Sequence, residues 1–265
     1  MPQNGRIFID DLEGVPSAPQ APLPGPVMPE FSEREDWMRR RNLAPTAQEF
    51  DDENPLSARY TRFNLDETPG SILFYWFGYA AERPASLQDR MTLWFGGGFE
   101  LDRIIAHRFS DIVAKLASGE AYRWAQIGPQ ERLAAVIALD QFSRNIFRGD
   151  AAAFENDPIA LELAREAIAT GEDLKLKPVE RWFLYMPFEH SESATDQRRS
   201  VESFTALLEQ CEPEHRPQFA SALDYAKRHA KVIQKFGRFP HRNDMLGRTS
   251  TSAEKAFLKK TPGGF

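Results

Sequence analysis

Three short stretches of this chain carry side chains able to move protons or hold charge. The first is Asp140-Gln141, with Arg144 and Arg148 behind it. At 100° per residue these positions continue the face that Leu133, Val136 and Ile137 define, and Leu139, Phe142 and Ile146 bracket them. Asp140 and Arg144 are four apart with the acid first, the order that favours an intrahelical ion pair. Two readings stand side by side. One is an ordinary salt bridge at a solvated helix end. The other is a partly buried charge constellation, costly unless it is fully paired or shared with a ligand.

The second stretch is Glu189-His190, followed by Ser191 and Glu192. Val179, Trp182, Phe183 and Met186 share a helical face, and His190 falls next on it. An imidazole beside carboxylates suits proton transfer near neutral pH, so Glu189 and His190 are the acid–base candidates. A histidine that closes an apolar face can equally be structural, and His229, set mid-face in a later helix, reads as a core histidine.

The third stretch displays Arg238, His241, Arg242, Asn243 and Arg248 between Gly237 and Thr251. Gly237 can end a helix in the left-handed conformation and Thr251 can cap the next. Cations and donors this dense beside a helix N-terminus fit a phosphate or carboxylate held by guanidinium groups. The alternative is a loop whose arginines cap carbonyls and bridge to acids such as Asp140, Glu189 or Glu192. The candidate ligand-binding set is thus Asp140, Arg144, Arg148, Arg238, His241, Arg242, Asn243 and Arg248. The expected partner is an anionic small molecule or an acidic peptide.

Other chemistries find little footing. There is no Gly-Lys-Ser/Thr phosphate loop, no Gly-x-Gly-x-x-Gly after a strand and no His-Glu-x-x-His. No cofactor is expected, and a metal held by Asp140, Glu189 and His190 is not favoured. The single cysteine, Cys211, excludes an internal disulfide and a multi-cysteine zinc site, and the acids after it disfavour a reactive thiol. A net charge of -6 argues against a general nucleic-acid coat protein, although residues 227–248 are locally basic. No run approaches the roughly 18 apolar residues of a membrane span, and the N-terminus lacks a secretory pattern. A soluble, cytoplasmic protein is the expectation.

The elements that must position these side chains are helices. The 265 residues suffice for one large domain or two small ones. Residues 1–67 are proline-rich and acidic, and read as an N-terminal arm, flexible or bound to a protein partner, with Ile7-Phe8-Ile9 and Phe31-Trp37-Met38 as apolar anchors. Residues 68–265 read as an all-α domain. Thr68-Pro69, Ser86 with Asp89, Gly128-Pro129, Asp157-Pro158, Pro178, Ser193 with Asp196, and Thr251 with Glu254 open helices; Gly96-Gly97-Gly98, Gly119, Gly171 and Gly237 end them. Pro187 should bend or end its helix near Met186.

The motifs together resemble one family. Leu139-Asp140-Gln141-Phe142 with Arg144-Asn145 and Arg148-Gly149, then Phe183 to Glu192, then Phe236 to Asn243 with Leu246-Gly247-Arg248, resemble the signature of the bacterial domain-of-unknown-function family nine-two-four. Ile72 to Gly78 and Trp94-Phe95 resemble its opening motifs. Ser143 stands where that pattern has proline, and Phe147 where it has tyrosine. The resemblance implies a tetratricopeptide-like array of antiparallel helix pairs and brings no assigned reaction. Two functions remain open: a polar pocket for a phosphate- or carboxylate-bearing ligand with enzymatic chemistry, or a protein–protein interaction scaffold in which the charged motifs are structural.

Overall fold

The computed structural model describes residues 68–78 and 87–263, and among these every regular element is helical. The N-terminal arm, and Ser86 as a helix opener, lie outside the described residues. Helix α1 spans Pro69–Phe77 and begins in a capping box in which Thr68 and Ser71 satisfy each other's backbone N–H groups. Helices α2 (Leu87–Phe95) and α3 (Phe99–Lys115) follow. A π-helical turn at Leu116–Glu120, with Gly119 at φ 113°, leads into α4 (Ala121–Ile127). Helix α5 (Pro129–Val136) runs through a second π-helical turn, Ile137–Phe142, into the short α6 (Ser143–Ile146). Then come α7 (Asp157–Thr170), α8 (Pro178–His190), α9 (Ala194–Gln210), α10 (Arg216–Phe236) and α11 (Ser252–Lys260).

The stop and start signals act through identifiable groups. Gly237, at φ 68°, ends α10 where a side chain would strain the backbone. Thr251 and Glu254 form the capping box of α11. Ser193 accepts from the N–H of Asp196 at the head of α9.

Three features depart from the pattern in the sequence. Helix α8 does not stop at Met186; it continues through Pro187 to His190. Pro187 sits in the last turn, and every residue from Val179 to Glu189 is buried, so tertiary packing holds the helix despite the missing donor. Helix α4 has no counterpart in the sequence pattern, because the eight residues between Gly119 and Gly128 are too few for a period to show. The expected single helix after Gly128 is interrupted where the Ser143 N–H bonds the carbonyl of Ala138, five residues back.

The core that fixes these helices is aromatic. Phe183 of α8 lies edge-on to Trp94 at 4.6 Å and to Trp76 at 5.5 Å, and Phe142 stacks on Phe109 at 4.5 Å. Phe142 ends the π turn and Phe183 lies two helical turns before His190. The rings that stabilise the core are thus carried by the same segments that carry the polar motifs. Helix α9 packs between α8 and α10, and α5 meets α1, α4, α7 and α8. Replacing the fully buried Phe142 by alanine is expected to cost about 3–5 kcal/mol in urea unfolding. Ile127→Ala, at a side chain 68% exposed, should stay within about 0.5 kcal/mol.

Candidate functional site

The π turn sets the direction of Asp140. A π turn inserts one residue into α-helical spacing and is a recurrent device at functional sites. Asp140 is fully buried by it. Its carboxylate accepts from Nδ1 of His190 at 2.7 Å and from Nε2 of Gln141, and forms an ion pair with Nη1 of Arg144 at 3.1 Å. Burial pushes the carboxyl up, but the Arg144 charge and the contact with His190 outweigh it and hold Asp140 well below the usual carboxylate range.

That ionised state fixes the imidazole. A carboxylate only accepts, so Nδ1 of His190 carries the proton and Nε2 carries the lone pair. No group among the described residues bonds Nε2. The side chain is 12% exposed, so the ring is not sealed from solvent. Burial, and next the Arg144 charge, hold the imidazole below its ordinary pKa, leaving it neutral at pH 7.

Two arginines stand beside this pair. Arg144 forks onto Asp157 at 2.9 and 3.0 Å and donates to the Asp140 carbonyl at 2.7 Å. Arg242 reaches the same Asp157 at 3.4 Å and donates to the His190 carbonyl at 3.0 Å, closing the C-terminus of α8. The Arg242 guanidinium lies 4.5 Å from the ring centre of Phe154 and 4.7 Å from that of Phe239. Its Nε is buried and has no partner among the described residues. Burial lowers its pKa to about 10, which still leaves a cation at neutral pH.

Glu189 turns the other way. Its Oε1 is 3.1 Å from Nδ1 of His229, which also faces the Tyr225 carbonyl at 2.9 Å. Burial, assisted by the Asp140 charge, pushes Glu189 up to about 8, and burial brings His229 down to about 3. The pair is therefore a neutral acid against a neutral imidazole at pH 7. His241 is lowered to about 4 by burial and next by Arg242. His229 and His241 both lie 5.6 Å from the Phe239 ring.

The remaining arginines are engaged elsewhere. Arg148 pairs with Asp102, which also accepts from Asn145 at 2.8 Å, joining α6 to α3. Arg238 forks onto Glu254 at 2.7 and 2.9 Å, tying the end of α10 to α11. Arg248 forks onto Glu192 at 2.7 and 2.9 Å, and Glu192 also accepts from the Phe239 N–H at 2.7 Å. Asn243 is fully buried and donates to Ser250 Oγ at 3.0 Å. The structure thus gathers Asp140, Arg144, Glu189, His190 and Arg242, with His241 alongside. It sets Arg148, Arg238, Asn243 and Arg248 into latches around them.

Sequence reasoning passed over Asp157, Phe154 and the partner of His229. Asp157 looked like a helix opener, since its arginine partners are 13 and 85 residues away and no local spacing reveals them. The signal for His229 was its place on the apolar face of α10: a buried imidazole needs a polar partner, and Glu189 was the buried acid in need of one. Among the described residues, no group of three His, Cys, Asp or Glu side chains could hold a metal ion. Glu189 and His190 face different partners, which separates the Asp140–Glu189–His190 set.

The model of a bacterial family described as proteins of unknown function matches residues 72–262. The chain belongs to that family, DUF924. A solved structure, that of the protein of unknown function ATU0120 from Agrobacterium tumefaciens, is 31% identical, with a TM-score of 0.59. The match covers 72% of this chain and 97% of the Agrobacterium chain. No functionally curated protein matches the sequence.

The Glu189 environment gives a pH test of this DUF924 chain. Its folded pKa is raised, so between about pH 4.5 and 8 the folded state binds more protons than the unfolded one. The stability that this group contributes is full below the lower value and lost as pH rises through the upper. Urea unfolding of Glu189→Gln should therefore gain on the native protein as pH rises from 5 to 8, with a slope no steeper than about 1.4 kcal/mol per pH unit. A difference independent of pH would mean that Glu189 is ionised in the folded protein.

Proposed function

We propose that the cluster is an acid–base site for a small ligand bearing a carboxylate or phosphate. The observation that carries this reading is the state of His190. Its Nδ1 is held by the fully buried Asp140, while Nε2 is left with a lone pair and no partner among the described residues. Asp140 fixes the tautomer and the ring plane, and Nε2 is the atom that exchanges a proton, the arrangement of a carboxylate–histidine pair in general acid–base catalysis. Positioned proton transfer of this kind contributes about 10²–10⁴-fold in rate. Arg144 and Arg242 supply charge for the anionic group, sharing it with Asp157. Glu189, neutral at pH 7, provides a second exchangeable proton behind the histidine.

The interaction scaffold has one observation in its favour. A groove of about 720 Å³ runs between α9 and α10, past Val201, Ala206, Leu223 and Ala230 with Lys227 and Lys231 at its edge. Its lining contains no aromatic ring to anchor a peptide, and it does not include the charged motifs. The acid–base reading accounts for more of the unusual residues. No helix among the described residues is long and apolar enough to cross a membrane, which leaves both readings in place.

A thermal-shift panel of carboxylated and phosphorylated metabolites tests the proposal. Arg242→Lys keeps the charge and loses the fork. Arg123→Lys alters a guanidinium 79% exposed and far from the cluster in sequence, and serves as control. A ligand at about 100-fold above its Kd stabilises by about 2.7 kcal/mol, a shift of several degrees. The native protein and Arg123→Lys should respond to the same compounds while Arg242→Lys does not. Equal responses in all three proteins, or none in the native one, would contradict the reading.

A further inference from the structure

We propose that this site takes up its anion together with one proton, and that Nε2 of His190 holds it. The inference rests on the anion reading above and adds how the site's charge is regulated. It begins from a charge count. Arg144 and Arg242 bring two positive charges and Asp140 and Asp157 two negative ones, linked in a chain of contacts from Asp140 through Arg144 and Asp157 to Arg242. Just outside, Arg248 and Glu192 cancel in the same way. An anion entering such a balanced, poorly hydrated cluster leaves one negative charge without a counter-charge. Charge of that kind is either excluded or neutralised by a proton.

The groups around His190 decide where the proton goes. Asp140 faces its ring from the π turn and Arg144 from α6. Asp157 acts from the head of α7 and Glu189 is its neighbour in α8. His229 of α10 has its ring centre 6.3 Å away. Arg242, on the loop after α10, bonds the His190 carbonyl, and His241 stands beside it. Asp140 and Asp157 favour the protonated ring, whereas burial and Arg144 oppose it. Without an anion the opposition prevails. His229 is already bound to a carbonyl through its ring nitrogen, burial and Arg242 oppose a charge on His241, and Glu189 already carries its proton at neutral pH. His190 is left as the group with a lone pair, partial solvent access and a carboxylate ready to stabilise the cation. Binding then reads as anion plus one proton from solvent, giving an imidazolium whose Nδ1–H faces Asp140 and whose Nε2–H faces the anion.

Calorimetry with methyl sulfate and with acetate tests this between pH 6.5 and 7.5, below the Glu189 titration, since both probes are monoanions that do not titrate there and represent phosphate-like and carboxylate ligands. Titrations run in two buffers of different ionisation heat should give an uptake approaching one proton per anion. The dissociation constant should rise about tenfold per pH unit above neutrality. His190→Asn, checked for native helicity by circular dichroism, should bind more weakly, with no uptake and no pH slope. Binding by the native protein without proton uptake would overturn the inference while leaving the anion site intact. Undiminished uptake in His190→Asn would place the proton elsewhere and overturn the assignment. An absence of binding of either probe by the native protein would overturn both the inference and the anion site.

Discussion

A carboxylate with no access to solvent governs this structure. Moving an ion such as that of Asp140 out of water costs several kcal/mol, and the cost is offset only if its oxygens are fully bonded. Here Gln141 and His190 supply bonds to those oxygens and Arg144 the counter-charge. Each partner is then constrained in turn. Arg144 must lie flat between Asp140 and Asp157, and His190 must present Nδ1 inward. The proton-accepting edge of the imidazole is a consequence of the buried charge behind it. Asp157 binds Arg242 in the same network, and so brings the loop after α10 against the end of α8.

Around this network the fold works as a set of clamps. The π turn that carries Asp140 ends on Phe142, and α8 is fixed through Phe183 against Trp94 and Trp76. Two backbone pieces that meet at the site are therefore locked by one aromatic core, a condition for holding catalytic groups to fractions of an ångström. The C-terminal loop rests on a smaller apolar cluster of Phe239 with Val232 and Ile233. Phe239 anchors it, and the forks from Arg238 to Glu254 and from Arg248 to Glu192 hold it at both ends. Of the loop's arginines, Arg238 and Arg248 are thus engaged in latches, and Arg242 is the one that faces the cluster.

The helical architecture was legible because its signals are local. Thr68-Pro69, Gly237 and the Thr251–Glu254 box each act within four residues, and structure and sequence agree there. The π turn was not legible: its residues have an unbroken helical pattern, and the five-residue bond from Ser143 to Ala138 leaves no mark on it. Pro187 misled for a related reason, since a buried last turn tolerates a proline that an exposed mid-helix would not. At the site, Asp140, Arg144, Glu189 and His190 could be singled out because polar residues on apolar faces require a reason. Which arginines reach them could not. Arg238, Arg242 and Arg248 lie within eleven residues of one another and look alike, yet their acids sit 16, 85 and 56 residues away, at distances only the folded chain defines.

The central claim, that a buried Asp140 carboxylate holds His190 by Nδ1 and leaves Nε2 open, can be observed in solution. Long-range nitrogen–proton NMR of the imidazole, in protein labelled at histidine, distinguishes the tautomers and follows protonation directly. The account requires a neutral ring protonated on Nδ1 at pH 7, titrating below the ordinary histidine value in the absence of ligand. A ring protonated on Nε2, or one that titrates as a free histidine would, shows that the carboxylate does not set its state and contradicts the account.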